Sequence, residues 1–266
     1  MKAVLSDLIA EQSVVDSLVS ALTEDQWNQL IDTELNVGDI PRIWNIKDEI
    51  AHIALFDDSA AKLMMGMGND LFDIIPEETQ DKNYRVFPYR NWSKDEVLGW
   101  WREARTKMNN LFYNIDPKAR VPWAPGMPMS AKSLASARLM ETWAHSVDIY
   151  DQLRIPVRVE DRISHTLFLA YQARPNAYRI NGFEISDTPI YVELVLPSGQ
   201  IWSKGPVDAA NYIEGSAAEW ALVSIRRRNW MDTNLEVVGD EARRFASIVQ
   251  TYAGESDEAP IPKCIR

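Results

Sequence analysis

The stretch LMETWAHSVDIYD, Leu139 to Asp151, sets Glu141 and His145 four residues apart among good core-forming residues. Four residues is little more than one helical turn, so the two side chains project from the same face of a helix, close enough to share an ion. The helix extends in both directions. Ser130 is a natural N-cap after the proline-rich VPWAPGMPMS, which holds too much proline for a regular element, and the apolar pattern runs on to about Leu153.

Three more long helices lie upstream. Val4, Leu5, Leu8, Val15, Leu18, Val19 and Leu22 form one apolar stripe, and TEDQ from Thr23 spells a capping box for a short helix. Asn45 caps a helix over IKDEIAHIALFDDSAAKLMMG, with His52 in its first half. Ser93 and Glu96 open another over KDEVLGWWREARTKMNNLFYNI, closed at Asp116-Pro117. The segment from Asn69 to Trp92 has few periodic apolar residues and reads as a long connection of the kind that is often functional or lid-like. Four long helices predict a four-helix bundle over residues 1–155.

Past Pro156 the texture changes. DRISHTLFLAYQARPNAYRI reads as a helix interrupted near Pro175, and IYVELVL with QIWSKG reads as a β-hairpin about Pro197-Ser198-Gly199. DAANYIEGSAAEWALVSIRRR reads as mostly helical with Gly215 marking a start or a break, LEVVG as a strand, and DEARRFASIVQTYAG as a closing amphipathic helix. The expectation is an α+β protein: a bundle over 1–155, then a smaller α+β domain over 156–266.

Composition narrows the function. The chain has 28 Lys and Arg against 39 Asp and Glu, a net charge of −11, which repels nucleic acid and anionic membrane surfaces. The early acidic residues of MKAVLSDLIAEQSVV do not fit a signal peptide, and no apolar run is long enough for a bilayer, so the expected location is the cytoplasm. The single cysteine, Cys264, excludes an internal disulfide and any cysteine-based zinc cluster, and its place in the tail ESDEAPIPKCIR suits a catalytic thiol poorly. A thiol, if the chemistry uses one, comes from outside. The expected partner is a small molecule, and the chain acts as a monomer or a homodimer.

Only three histidines occur, His52, His145 and His165. His52 from one bundle helix with Glu141 and His145 from another makes a three-ligand set with an open position, the pattern of a catalytic rather than a structural zinc site. The plain alternative is that a Glu-x-x-x-His spacing arises by chance and that helical histidines pack or hydrogen-bond without a metal. Asp48, Arg138 and Asp148 lie about one turn from a ligand and could orient it, or form ordinary ion pairs.

WNIKDEIAHIALFD, Trp44 to Asp57, resembles the Trp-x-x-x-Asp-x-x-x-His helix of the DinB-like fold, in particular the N-terminal domain of the mycothiol-dependent maleylpyruvate isomerases. WAPGMPMSAKSLASARLMETWAHSVDIYDQL, DRISH, VELVLPSGQIW, GPVDAANYIEGSAAEWALVSIRRR and LEVVGDEARRFASIVQTYAG resemble an uncharacterised metal-binding branch of that superfamily. The resemblance implies that His52, Glu141 and His145 bind a divalent metal, zinc first and nickel or another ion as alternatives. It implies chemistry with a low-molecular-weight thiol such as mycothiol: the thiolate adds to an electron-poor alkene, the adduct rotates, and elimination gives the isomer.

Around that centre the sequence offers further candidates. His165 matches a histidine of the branch's second domain and reads as a general acid or base, or as an interdomain contact. Arg226, Arg227 and Arg228 form the one basic cluster; Arg226 and Arg227 could hold a carboxylate or the thiol cofactor, although cations at a helix end also suit its dipole. Trp123 could wall the open metal position. The expected function is a metal-dependent, thiol-using isomerase or thiol transferase acting on a small electrophile. The alternative is a non-catalytic metal-binding or small-ligand-binding protein, and a third reading is that the second domain resembles sterol-carrier-like modules and binds an apolar ligand.

Overall fold

The computed structural model describes residues 1–31, 44–80, 85–124 and 126–263. Cys264 lies outside them. The chain divides into two compact units, the first ending at Leu153 and the second beginning at Arg154. Among the described residues no helix is long and apolar enough to cross a membrane.

The first unit is built on four long helices: α1 (Lys2–Ser20), α3 (Ile46–Met64), α5 (Lys94–Asn114) and α6 (Ala131–Leu153). Short helices α2 (Glu24–Trp27) and α4 (Leu71–Ile74) lie between them. Capping sets three of the starts. Thr23 with Gln26, Asn45 with Asp48 and Ser93 with Glu96 each form a reciprocal capping box, and Ser130 Oγ accepts the N–H of Ser133 at the head of α6. Each such cap contributes about 1 kcal/mol.

Helix α3 packs on α5 and α6, and α1 packs on both α5 and α6, which closes the bundle. One apolar cluster gathers Val15, Val19, Trp27, Ile46, Ile50, Ile53 and Trp101. Another gathers Leu8, Ala60, Met108, Phe112, Leu134 and Leu139. A polar tie runs through this interior. Arg138 Nε donates to Asp57 Oδ1 at 2.9 Å, and Trp101 Nε1 donates to Asp57 Oδ2 at 3.1 Å, linking α6 and α5 to α3 with both charged groups buried. Burial pushes the Asp57 carboxyl up from its usual range, opposed by the Arg138 guanidinium and the Trp101 N–H.

The described residues of VPWAPGMPMS are regular after all. They form the hairpin β1 (Arg120–Ala124) and β2 (Met127–Ser130), pairing Arg120 with Ser130 and Val121 with Met129 before the register shifts. In a two-stranded ribbon every strand has an open edge, so Pro122 and Pro128 can sit where no ladder N–H is needed. The 69–92 connection carries α4 and two 3₁₀ turns, and it is tied to the head of α3. Lys47 Nζ donates to the carbonyls of Arg90 and Trp92, and Arg90 pairs with Asp48.

The second unit holds α7 (Ser164–Gln172), α8 (Arg174–Ile180), α9 (Ala217–Ser224) and α10 (Asp240–Ile248) with a four-stranded sheet in the order β4-β3-β5-β6. The strands are β3 (Ile190–Val195), β4 (Ile201–Lys204), β5 (Asn211–Ser216) and β6 (Glu236–Val238). The expected β3–β4 hairpin is present, and Pro175 lies in the first turn of α8, where a proline is tolerated. NYIEGS departs from expectation. It is a strand rather than helix, paired parallel to β3 and antiparallel to β6. A central strand is stabilised by neighbours from distant sequence, which local pattern does not report. Gly215 sits there at φ +139°, and a Cβ would come within 3.0 Å of Leu235.

The buried pair sets a stability test. Asp57→Ala leaves the Arg138 charge buried without its carboxylate, and is expected to cost about 3–5 kcal/mol in denaturant unfolding. Adding Arg138→Met is expected to recover a large part of that loss.

Candidate metal centre

Two helices supply the site. Along α3 Glu49, His52 and Phe56 follow one another at three- and four-residue steps and so face one way, with Asp57 two turns beyond Glu49, and along α6 Arg138, Glu141 and His145 are spaced by three and four residues. The pairs that meet are Glu49 with His145 and Asp57 with Arg138. Ascending numbers on α3 therefore face descending numbers on α6, and the two helices run antiparallel.

At one end of this seam His52, Glu141 and His145 each offer a ligand atom, all within 4.8 Å of one another. The two imidazoles are buried and the carboxylate is half-buried, with the ring centroids 4.4 Å apart. His145 Nε2 stands 3.4 Å from Glu141 Oε2. Two ligands about 2.1 Å from a tetrahedral ion are roughly 3.4 Å apart, so this pair already has the spacing an ion needs. Two imidazoles and one carboxylate suit zinc, and three protein donors leave a fourth position for a small molecule. The residues fit a divalent ion.

The other face of His145 is occupied by a group the sequence did not single out. Glu49 Oε2 lies 2.6 Å from His145 Nδ1, and Asp148 completes a second buried set with these two inside 4.8 Å. Of the candidate orienting residues, Asp48 is instead engaged by the α3 capping box and by Arg90, and Arg138 by Asp57. Asp148 lies beside His145, in the set it shares with Glu49. Helical periodicity could have flagged Glu49, which is three residues before His52, but only the packing of α6 shows which nitrogen it meets.

Aromatic rings line the centre. Trp44 lies 5.1 Å from the His52 ring and 6.4 Å from the His145 ring, and Phe56 lies 4.7 Å from His52. Trp123, from β1, reaches Phe56 at 5.9 Å, so it borders the site through that ring. These faces limit water and lower the local dielectric, which strengthens any charge interaction at the centre.

The remaining candidates belong to the second unit. His165 is half-buried in α7. Arg226, just past α9, sits at φ +62°, donating from Nε and Nη2 to the Asp257 carbonyl and from Nη1 to the Ser247 carbonyl. Its side chain ties down the segment after α10, which offsets a backbone conformation that costs a non-glycine residue about 1 kcal/mol or more. Arg227 is buried, with Nη1 on the Ile225 carbonyl. In these two residues the cluster carries structural bonds that a reading of charge alone does not foresee.

Burial of the His145 ring opposes its protonation, yet the hydrogen bonds and charges of Glu141 and Glu49 outweigh this and raise its pKa from 6.5 to about 8. A raised folded-state value means the metal-free protein gains stability from this proton below about pH 6.5 and loses it as pH rises through about 8. A metal must displace the Nε2 proton, so binding is expected to strengthen with pH up to about 8 and to release a proton below it. Titration of His145 by NMR after chelator treatment checks this; a value below that of free imidazole would overturn it.

Residues 8–150 match the family of the mycothiol maleylpyruvate isomerase N-terminal domain. Uncharacterised proteins from two strains of Mycobacterium tuberculosis are each 30% identical over 260 residues, covering 94% of this chain and 95% of their own length. The fold is similar to crystal structures of the mycothiol-dependent maleylpyruvate isomerase and of a histidine-to-alanine mutant of it. Both give a TM-score of 0.57 at 15% identity, covering 89% and 85% of this chain and 92% and 89% of theirs. At that identity the likeness concerns the fold, whereas the family match spans the helices that carry His52, Glu141 and His145. The chain therefore belongs to the mycothiol maleylpyruvate isomerase N-terminal domain family.

Proposed function

We propose that this protein is a divalent-metal-dependent enzyme that uses a low-molecular-weight thiol of the mycothiol kind to isomerise, or be transferred to, a small electrophilic substrate. The observation that carries the reading is the convergence of His52, Glu141 and His145 from two helices on one buried point, in a chain of this family. When bound, a zinc ion supplies Lewis acidity that lowers the pKa of a thiol and favours its thiolate.

The chain's own residues do the rest. His52, Glu141 and His145 present three donors and leave the fourth position to the thiol. Trp44, Phe56 and Trp123 wall the centre, and an apolar wall keeps water from competing with a soft nucleophile. Within the second unit His165 is proposed as a general acid or base, whereas the Arg226 and Arg227 guanidiniums, buried on the Asp257, Ser247 and Ile225 carbonyls, are assigned no ligand. The mycothiol dependence named for the structurally similar isomerase supports the thiol, and the expected cytoplasmic setting would supply it.

Elemental analysis of the purified chain tests the centre. One zinc per chain is expected in the wild type, perturbed by added thiol. In His52→Ala and Glu141→Ala the affinity is expected to fall by more than the about 10–100-fold that a supporting residue carries. Zinc retained in both variants would remove the ligand assignment. Cys264→Ala is expected to leave thiol-dependent turnover unchanged, and loss of turnover would overturn the external thiol.

A further inference from the structure

His145 stands between two carboxylates. Glu49 Oε2 is 2.6 Å from Nδ1, and Glu141 Oε2 is 3.4 Å from Nε2. A neutral imidazole carries one proton, and only the other nitrogen has the lone pair that an ion needs. A proton on Nε2 would point at Glu141 and close the ligand position. A proton on Nδ1 points at Glu49 and leaves it open.

We propose that Glu49 is a positioning residue: its carboxylate holds the His145 proton on Nδ1 and so turns the Nε2 lone pair toward the point shared with His52 and Glu141. The inference rests on the metal reading above and names the group that selects the ligand nitrogen. The nearer carboxylate is Glu49 by 0.8 Å, the difference between 3.4 Å and 2.6 Å. A charged acceptor also makes the imidazole a stronger donor to an ion than a neutral carbonyl would.

The fold holds Glu49 in place from both sides. It is fully buried and lies in the first turn of α3, which the Asn45–Asp48 capping box closes and Lys47 ties to the carbonyls of Arg90 and Trp92. His52 is less than one turn further on. One rigid stretch thus carries both a ligand and the group that orients another, so the spacing between them does not depend on a loop. Asp48, adjacent in sequence, cannot take the role, because its carboxylate is engaged by the Asn45 N–H and Arg90.

The test compares the wild type with Glu49→Gln, which keeps size and removes charge, and Glu49→Leu, which also removes the acceptor. Zinc affinity is measured by chelator competition. The His145 tautomer is read by long-range proton–nitrogen NMR on the metal-free protein, above the ring's pKa of about 8, and on the zinc-loaded protein. Expected are an Nδ1–H tautomer in the wild type, a proton shifted toward Nε2 in metal-free Glu49→Leu, and zinc affinity about 10–100-fold weaker in that variant with Glu49→Gln between. A role in packing alone would not move the tautomer. Wild-type zinc binding with unchanged tautomer and affinity in both variants would overturn this inference and leave the proposed function standing. Absence of zinc from the wild type would overturn both. Should Glu49→Leu fail to fold, the isosteric Gln variant carries the test through the same two readouts.

Discussion

The seam between α3 and α6 is the constraint on which the site depends. Two charged contacts pin it, Glu49 to His145 and Asp57 to Arg138. The first pair is separated from the second by eight residues on α3 and seven on α6, about 12 Å and 10.5 Å of helix at 1.5 Å per residue. Near-equal lengths let both contacts form on one antiparallel pair without bending either helix. Sliding one helix past the other would break both at once and leave buried charge uncompensated, so the register is stated twice.

Register is what the proposed metal ligands need. His52 and the Glu141–His145 pair are about ninety residues apart in sequence, and their donors meet only if α3 and α6 are held in one alignment. The apolar residues around the seam supply attraction without direction, whereas the ion pairs supply direction. The metal-free centre is also not inert. Two carboxylates flanking one imidazole favour a cation there, and in the absence of an ion the cation is a proton on His145. The same electrostatics that raise the ring's pKa would draw in a divalent ion.

The second unit shows a different balance. Its sheet combines a hairpin, a parallel pair and an antiparallel edge, so the central strands β3 and β5 depend on partners beyond their immediate sequence. Tyr178 and Arg174 both bond Glu241, joining α8 to α10 across more than sixty residues. Arg226 belongs to the same category of long tie, its guanidinium joining the turn after α9 to the Ser247 and Asp257 carbonyls.

The sequence by itself determined the four long helices, the caps at Asn45, Ser93 and Ser130 and that of the short helix at Thr23, and the shared face of Glu141 and His145, because these are local: a cap and a helical period act within one or two turns. It also carried the resemblance that points to the family. Tertiary structure decided the rest. VPWAPGMPMS became a ribbon and NYIEGS a central strand because strand pairing is a contact between segments, and no periodicity within either one records its partner. His52 meets Glu141, and Glu49 rather than Asp48 meets His145, because of how α6 lies along α3. Helical spacing lists every residue on a face, and only the packed neighbour selects which of them touches what.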